Sequence, residues 1–205
     1  MSSEKLAGLN VSRETLDRLE TYRLLLKKWN PAINLVAKST IETAWERHFV
    51  DSAQVFRYAP QGISKWCDLG SGGGFPGLVC ATLAKEESPD TVFTMVESDQ
   101  RKATFLRTVV RELDLNANVI SKRIEDIEPL QADIVTARAL APLPKLLDYA
   151  ERHLVKTGRG IFLKGTSFRD ELSKSLETWR FNHEEYASLT DSESVILLIG
   201  DIERV

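Results

Sequence analysis

The sequence predicts a doubly wound α/β fold: a mostly parallel, seven-stranded sheet covered by helices, preceded by a helical extension over residues 1–62. Three observations carry this. Strand-like and helix-like segments alternate after Gly62, the pattern of a parallel sheet with crossover helices. A glycine-rich turn stands between the first of these strands and its helix. The last two strand-like segments have no helix between them, which predicts an antiparallel hairpin at one sheet edge.

Each element has its own signal. Over 12–29, Leu16, Leu19, Tyr22, Leu26 and Trp29 recur at helical spacing. Asn30-Pro31 is expected to end that helix, because proline disfavours helical backbone in the residue before it. A second helix is expected from Thr40 as N-cap to about Tyr58, with Ile41, Trp45, His48, Ser52 and Val55 along one face. Trp29 and Trp45 fall at apolar positions and read as core. Pro60-Gln61-Gly62 marks the start of the main domain, 63–205. There, strands are expected at 65–69, 92–97, 118–121, 133–137 and 160–164, and helices at 77–85, 100–114, 143–154 and 167–179. The closing strands are 183–188 and 194–199.

A length of 205 residues suits one α/β domain with a modest extension. A hydrophobic share of 42% is ordinary for a chain with a real core. No apolar run approaches the roughly eighteen residues of a membrane span, and residues 1–10 lack the apolar core of a signal peptide. Cys67 and Cys80 sit among apolar neighbours with no metal spacing, so two reduced, buried thiols and no metal are expected. These features point to the cytoplasm. The net charge of −3 argues against a protein that coats nucleic acid, yet leaves room for a local basic patch. Arg101, Lys102, Arg107 and Arg111 are candidates for phosphate contacts, although a charge run on a helix is usually a solvated face.

The chemistry starts at Asp68-Leu69-Gly70-Ser71-Gly72-Gly73-Gly74-Phe75-Pro76-Gly77. Glycine lets backbone bend sharply and approach a ligand closely. Gly72, Gly74 and Gly77 spell GxGxxG, a dinucleotide fingerprint, with Glu97 a suitable distance on. Asp68 argues against it. A carboxylate at the strand end repels a pyrophosphate but suits S-adenosylmethionine (AdoMet), which carries a sulfonium and an ammonium. From Asp68 the pattern reads D-x-G-x-G-x-G, the methyltransferase form, with Gly70 and Gly72 against the cofactor. Glu97, ending the second strand, can accept hydrogen bonds from a ribose diol. Ile124 could pack on the adenine face and Glu125 could mark its amino edge.

The fourth strand ends Thr136-Ala137-Arg138-Ala139. The Asn/Asp-Pro-Pro-aromatic motif common in exocyclic amino methylation is not there. No cysteine stands there for attack through a pyrimidine carbon, and Arg138 replaces the aspartate of a Lys-Asp-Lys-Glu set. A guanine N7 fits, since it has an in-plane lone pair and no proton to lose. Catalysis would then be mainly positioning, which can save roughly 7–11 kcal/mol, and no general base is expected.

Together these pieces resemble the bacterial 16S rRNA guanine-N7 methyltransferase family, also called glucose-inhibited division protein B. The resemblance runs through Trp29-Asn30, Asn34-Leu35, Arg47-His48-Phe49-Val50-Asp51-Ser52 and the Gly74-Phe75-Pro76-Gly77 ending. It continues through Glu97, Arg101-Lys102, Phe105-Leu106-Arg107, Arg138-Ala139 and Lys164-Gly165. It implies a class I methyltransferase fold, AdoMet contacts at Gly70, Phe75, Ile124, Glu125 and Arg138, and one guanine of the small-subunit rRNA as substrate. Where the family often carries lysine after the last strand, this chain reads Asp201-Ile202-Glu203-Arg204-Val205. His48 is drawn towards the pocket with no assigned role; its bland reading is a polar tie with Asp51 and Ser52. Arg101 and Lys102 are candidates for RNA, and Lys164 for a phosphate or guanine O6. The expected partner is 16S rRNA or the small ribosomal subunit, with no membrane and with a monomer as the working expectation. Two other readings stay open: a methyltransferase acting on another RNA atom or a small molecule, and a module that binds AdoMet or RNA without turnover.

Overall fold

A computed structural model describes residues 4–205. The chain opens with a short antiparallel hairpin, β1 (Glu4–Leu6) and β2 (Leu9–Val11), which the sequence reading did not anticipate. Helix α1 (Arg13–Ile33) follows, capped by the Ser12 hydroxyl, which accepts from the Thr15 amide. It does not stop at Asn30-Pro31. Proline forfeits one helical hydrogen bond, but Pro31 lies in the last turn and the helix closes at once on Asn34, in the left-handed conformation. The buried Asn30 also accepts from the Val36 amide, which stabilises the exit.

The second helix differs as well. Thr40 is not its cap but ends a 3₁₀ turn (Lys38–Thr40). A π-helical segment (Trp45–Val50) then runs into α2 (Asp51–Phe56). Ser52 and Val55 are buried as expected, but with the wider π turn Phe49, Ala53 and Gln54 are buried beside them, while Ile41, Trp45 and His48 are only partly covered. Trp29 and Trp45 pack against the core.

The main sheet joins β3 (Lys65–Leu69), β4 (Val92–Val96), β5 (Ala117–Ile120), β6 (Ala132–Arg138), β7 (Leu154–Lys164), β8 (Trp179–Ala187) and β9 (Val195–Arg204). The spatial order is β5-β4-β3-β6-β7-β9-β8, parallel except for β9, which is antiparallel to both β7 and β8. The seven strands and the closing hairpin are as predicted. The crossovers are α3 (Gly77–Glu87), α4 (Gln100–Glu112), α5 (Leu143–His153) and α6 (Phe168–Ser175). Helix α6 is shorter than the expected 167–179, because Trp179 is buried as the first residue of β8.

Strands covered on both faces send alternate side chains into two cores. Trp66, Ile134, Ile161 and Ile196 join the core under α1 to α4, while Cys67, Val135, Phe162 and Leu197 join that under α5 and α6. Both cysteines are free and buried. Strand order reverses between β3 and β6, and ligands of open α/β sheets bind at the carboxyl ends beside such a switch point. Among the described residues no helix is long and apolar enough to cross a membrane.

Candidate active site

At that switch point lies a cleft of about 700 Å³. Gly70, Ser71, Gly72, Gly73 and Phe75 form one wall. Helix α1 supports this loop from behind: the buried Tyr22 hydroxyl donates to the Gly73 carbonyl, and its ring stacks on Phe75 with centroids 5.3 Å apart. The glycines divide into two groups. Gly72 has φ +54°, and a Cβ there would meet nothing closer than the Gly70 carbonyl at 3.8 Å, so bare backbone faces the open cleft. Gly74 and Gly77 instead pack inward. A Cβ on Gly77 would lie 2.6 Å from Asp68 Cβ and 2.6 Å from Met95 Sδ.

This division decides between the two cofactor patterns. A dinucleotide site needs its second glycine, here Gly74, open so that backbone can approach the pyrophosphate, but a Cβ on Gly74 would run into the Tyr22 hydroxyl and the Leu78 side chain. Asp68 is itself buried behind the loop rather than lining the cleft. Its Oδ1 accepts from the Thr136 hydroxyl at 2.7 Å, and its Oδ2 has no hydrogen-bond partner. Burial raises its pKa to about 6, against the opposing pull of Thr136, Ser71, the Gly77 amide and Arg138. The site therefore offers a buried acid behind an open glycine turn, which suits a cationic ligand.

Glu97 holds the loop closed at the next strand. Its Oε2 accepts from the Gly72 amide and its Oε1 from the Asp99 amide, each at 2.8 Å. A carboxylate has about four acceptor sites, so lone pairs remain for a ribose diol. Glu97, the cleft face of Gly72 and the aromatic edge of Phe75 thus fit AdoMet.

The opposite wall centres on Asp51. Its Oδ2 accepts from Arg138 Nη1 at 3.2 Å; its Oδ1 accepts from Gln54 Nε2 and the Thr190 hydroxyl, each at 2.9 Å. Arg138 also lies over the Phe75 ring, 4.9 Å from its centroid. Burial lowers the Arg138 pKa from its ordinary value, opposed chiefly by Asp51. His48 Nε2 sits 2.8 Å from the Thr40 hydroxyl, and burial, then the Arg138 and Arg47 charges, push its pKa down to about 4. At the end of β7, Lys164 Nζ lies 2.5 Å from Glu171 Oε2 and donates to the Ala141 carbonyl. Glu171 also accepts from the Leu143 amide and the Ser167 hydroxyl.

Of the residues singled out from sequence, Gly70, Gly72, Phe75, Glu97, Arg138, His48, Lys102 and Lys164 line this one cleft. Ile124, Glu125 and Arg101 do not. Ile124 is buried in the α5–α6 core, Glu125 accepts from the Tyr149 hydroxyl at 2.5 Å, and Arg101 is exposed beside Asp99. Tyr22, Gln54, Glu171 and Thr190 were not anticipated. Tyr22 and Thr190 lie far in sequence from Gly73 and Asp51, which they hold, whereas Gln54 and Glu171 stand near Asp51 and Lys164; no local motif marks any of the four.

Comparison with known proteins agrees with this geometry. The family model for GidB, described as rRNA small subunit methyltransferase G, matches residues 15–196. The chain belongs to the GidB family. It is 53% identical over 197 residues to the ribosomal RNA small subunit methyltransferase G of Ruegeria pomeroyi, covering 96% of each chain. It is 46% identical to the same-named protein of Cereibacter sphaeroides over the full length of both. In fold it is similar to a TehB-like SAM-dependent methyltransferase from Corynebacterium glutamicum, with a TM-score of 0.59 at 15% identity, covering 89% of this chain and 98% of that one. For GidB members the cleft is thus a methyltransferase site on a class I fold.

Proposed function

We propose that this GidB-family chain transfers a methyl group from AdoMet to N7 of one guanine of 16S rRNA, acting in the cytoplasm as a single chain on the rRNA of the small subunit. AdoMet supplies an electrophilic sulfonium methyl. The protein's part is to bind, orient and exclude water. Gly70, Gly72 and Phe75 cradle the cofactor and Glu97 fixes its ribose; Ile124 and Glu125, which stand outside the cleft lining, flank the adenine end from beyond it. Arg138, held by Asp51, borders both cofactor and base. Within the N-terminal extension, helix α1 braces the loop through Tyr22. His48, Arg101, Lys102 and Lys164 stand on the RNA side.

One observation carries the choice of N7: the carboxylates around the cleft already hold donors, and its histidine is a weak base. Asp51 holds Arg138, Gln54 and Thr190; Glu97 holds two backbone amides; Glu171 holds Lys164, Ser167 and Leu143. His48 is bonded to Thr40, and a pKa of about 4 makes it a weak base. Such a site suits a nucleophile with no proton to remove. The test is methyl transfer from labelled AdoMet to naked 16S rRNA and to small subunits, followed by borohydride and aniline treatment, which cuts the chain at N7-methylguanosine. Scission at one guanosine is the expected result. Label on another atom, or only on a small molecule, refutes the proposal.

A further inference from the structure

Lys164 and Glu171 form a compact ion pair at the end of the cleft away from Glu97, with side chains only 10% and 18% exposed. The glycine loop and Glu97 occupy the β3 and β4 side, and Lys164 ends β7, two strands beyond β3. With the cofactor on the first side, the β7 side remains for the target base. We propose that Lys164 reads guanine O6, and that Glu171 positions Lys164 and cancels its charge for that purpose. This rests on the guanine-N7 reading above.

The chemistry of the pair selects a base atom over a phosphate. An ammonium has three N–H donors. One goes to Glu171 and one to the Ala141 carbonyl, leaving one for a ligand. A lysine already neutralised by a carboxylate offers a phosphate little net attraction. It remains a good donor to a neutral carbonyl such as O6, which neighbours N7 on the same base edge. Adenine presents an amino donor there and is turned away. The carboxylate matters in the reaction itself. The N7 lone pair forms the new N–C bond, the S–C bonding pair stays on sulfur, and the base acquires the positive charge. A bare lysine beside that base would oppose the change; the Lys164–Glu171 pair does not.

The test uses the full-length protein and 16S rRNA in which the target guanosine is replaced by inosine or by 2-aminopurine riboside. Inosine keeps O6 and N7 and drops the 2-amino group; 2-aminopurine keeps N7 and the 2-amino group and drops O6. The wild type should methylate guanosine and inosine at similar single-turnover rates and 2-aminopurine about 10- to 100-fold more slowly, the range for a lost charge-assisted hydrogen bond. Lys164→Met should bring guanosine and inosine down to the 2-aminopurine rate without changing the latter. The Lys164→Met/Glu171→Gln double variant, which leaves no unpaired buried charge, should do the same with AdoMet affinity within about twofold of wild type by calorimetry. Glu171→Gln alone should lower the single-turnover rate on guanosine more than it weakens RNA binding. Undiminished discrimination in the double variant overturns the proposal. So does rejection of inosine as strong as that of 2-aminopurine, or an equal loss on all three bases with a flatter salt dependence, which marks a phosphate contact. A wild-type product methylated at an atom other than N7 overturns the parent reading and this inference together; an N7 product with unchanged discrimination overturns this inference alone.

Discussion

The buried acid behind the glycine loop makes a quantitative prediction. Asp68 has its Oδ1 on Thr136 and its Oδ2 unpartnered, and burial raises its pKa from the ordinary 3.8 to about 6. The folded protein therefore holds this proton more tightly than the unfolded chain. The resulting stabilisation is complete below about pH 3.8, declines as pH rises between the two values, and is lost above about pH 6. At about 1.36 kcal/mol per pH unit, the interval amounts to about 3 kcal/mol, of which about 2 kcal/mol falls between roughly pH 4.5 and 7.5. Asp68→Asn keeps the shape and a carbonyl oxygen for Thr136 while abolishing the ionisation. Urea denaturation of both proteins at the two pH values isolates this group, because every other titration cancels in the difference. The variant should gain about 2 kcal/mol on the wild type as pH rises from about 4.5 to 7.5. Parallel curves would refute the argument that burial governs this carboxyl. Linkage gives a companion result: a cationic ligand favours the charged acid, so AdoMet affinity of the wild type should rise as pH passes through about 6, and this rise should vanish in Asp68→Asn.

Three further outcomes follow from other parts of the site. Gly77→Ala puts a Cβ 2.6 Å from both Asp68 Cβ and Met95 Sδ; overpacking should outweigh the better helix propensity and cost about 1–2 kcal/mol, and an unchanged melting temperature would show that the loop yields freely. Single-turnover methyl transfer with saturating RNA and AdoMet should be flat from about pH 7 to 9, since His48, with a pKa pushed down to about 4, stays neutral throughout; a rising limb abolished by His48→Gln would mean that a proton is removed in the step. Replacing Arg101, Lys102, Arg107 and Arg111 by glutamine should weaken RNA binding and flatten its dependence on salt, with AdoMet affinity unchanged; an unaltered slope in filter binding would mark the group as a solvated face.

Much of this protein is legible in one dimension. Alternating apolar segments announce the strands and crossover helices, because a strand buried on both faces is apolar throughout and a covering helix repeats every 3.6 residues. The glycine loop, Glu97 and Arg138 stand at strand ends, and in a parallel sheet all such ends meet at one edge, so order along the chain already implies a common site. The resemblance through Arg47-His48 and Gly74-Phe75-Pro76-Gly77 narrows the chemistry further. Local rules failed where a neighbour outweighed them: Pro31 sits within α1 because only one turn remained to be closed, and with the π-helical turn at Trp45–Val50 Phe49 is buried beside the face that regular spacing predicts.

Tertiary structure alone decided which charges are free. Sequence places Arg138 and Lys164 at the ends of β6 and β7, but only folding brings them against Asp51 and Glu171. It alone shows Asp68 turned inward beneath α3, Gly72 open to the cleft, and Tyr22 reaching 51 residues along the chain to hold the loop. The physical reason is range. Backbone preference and hydrophobic periodicity act between near neighbours and are written in short segments, whereas burial and ion pairing depend on which distant side chains the completed sheet brings within a few ångströms.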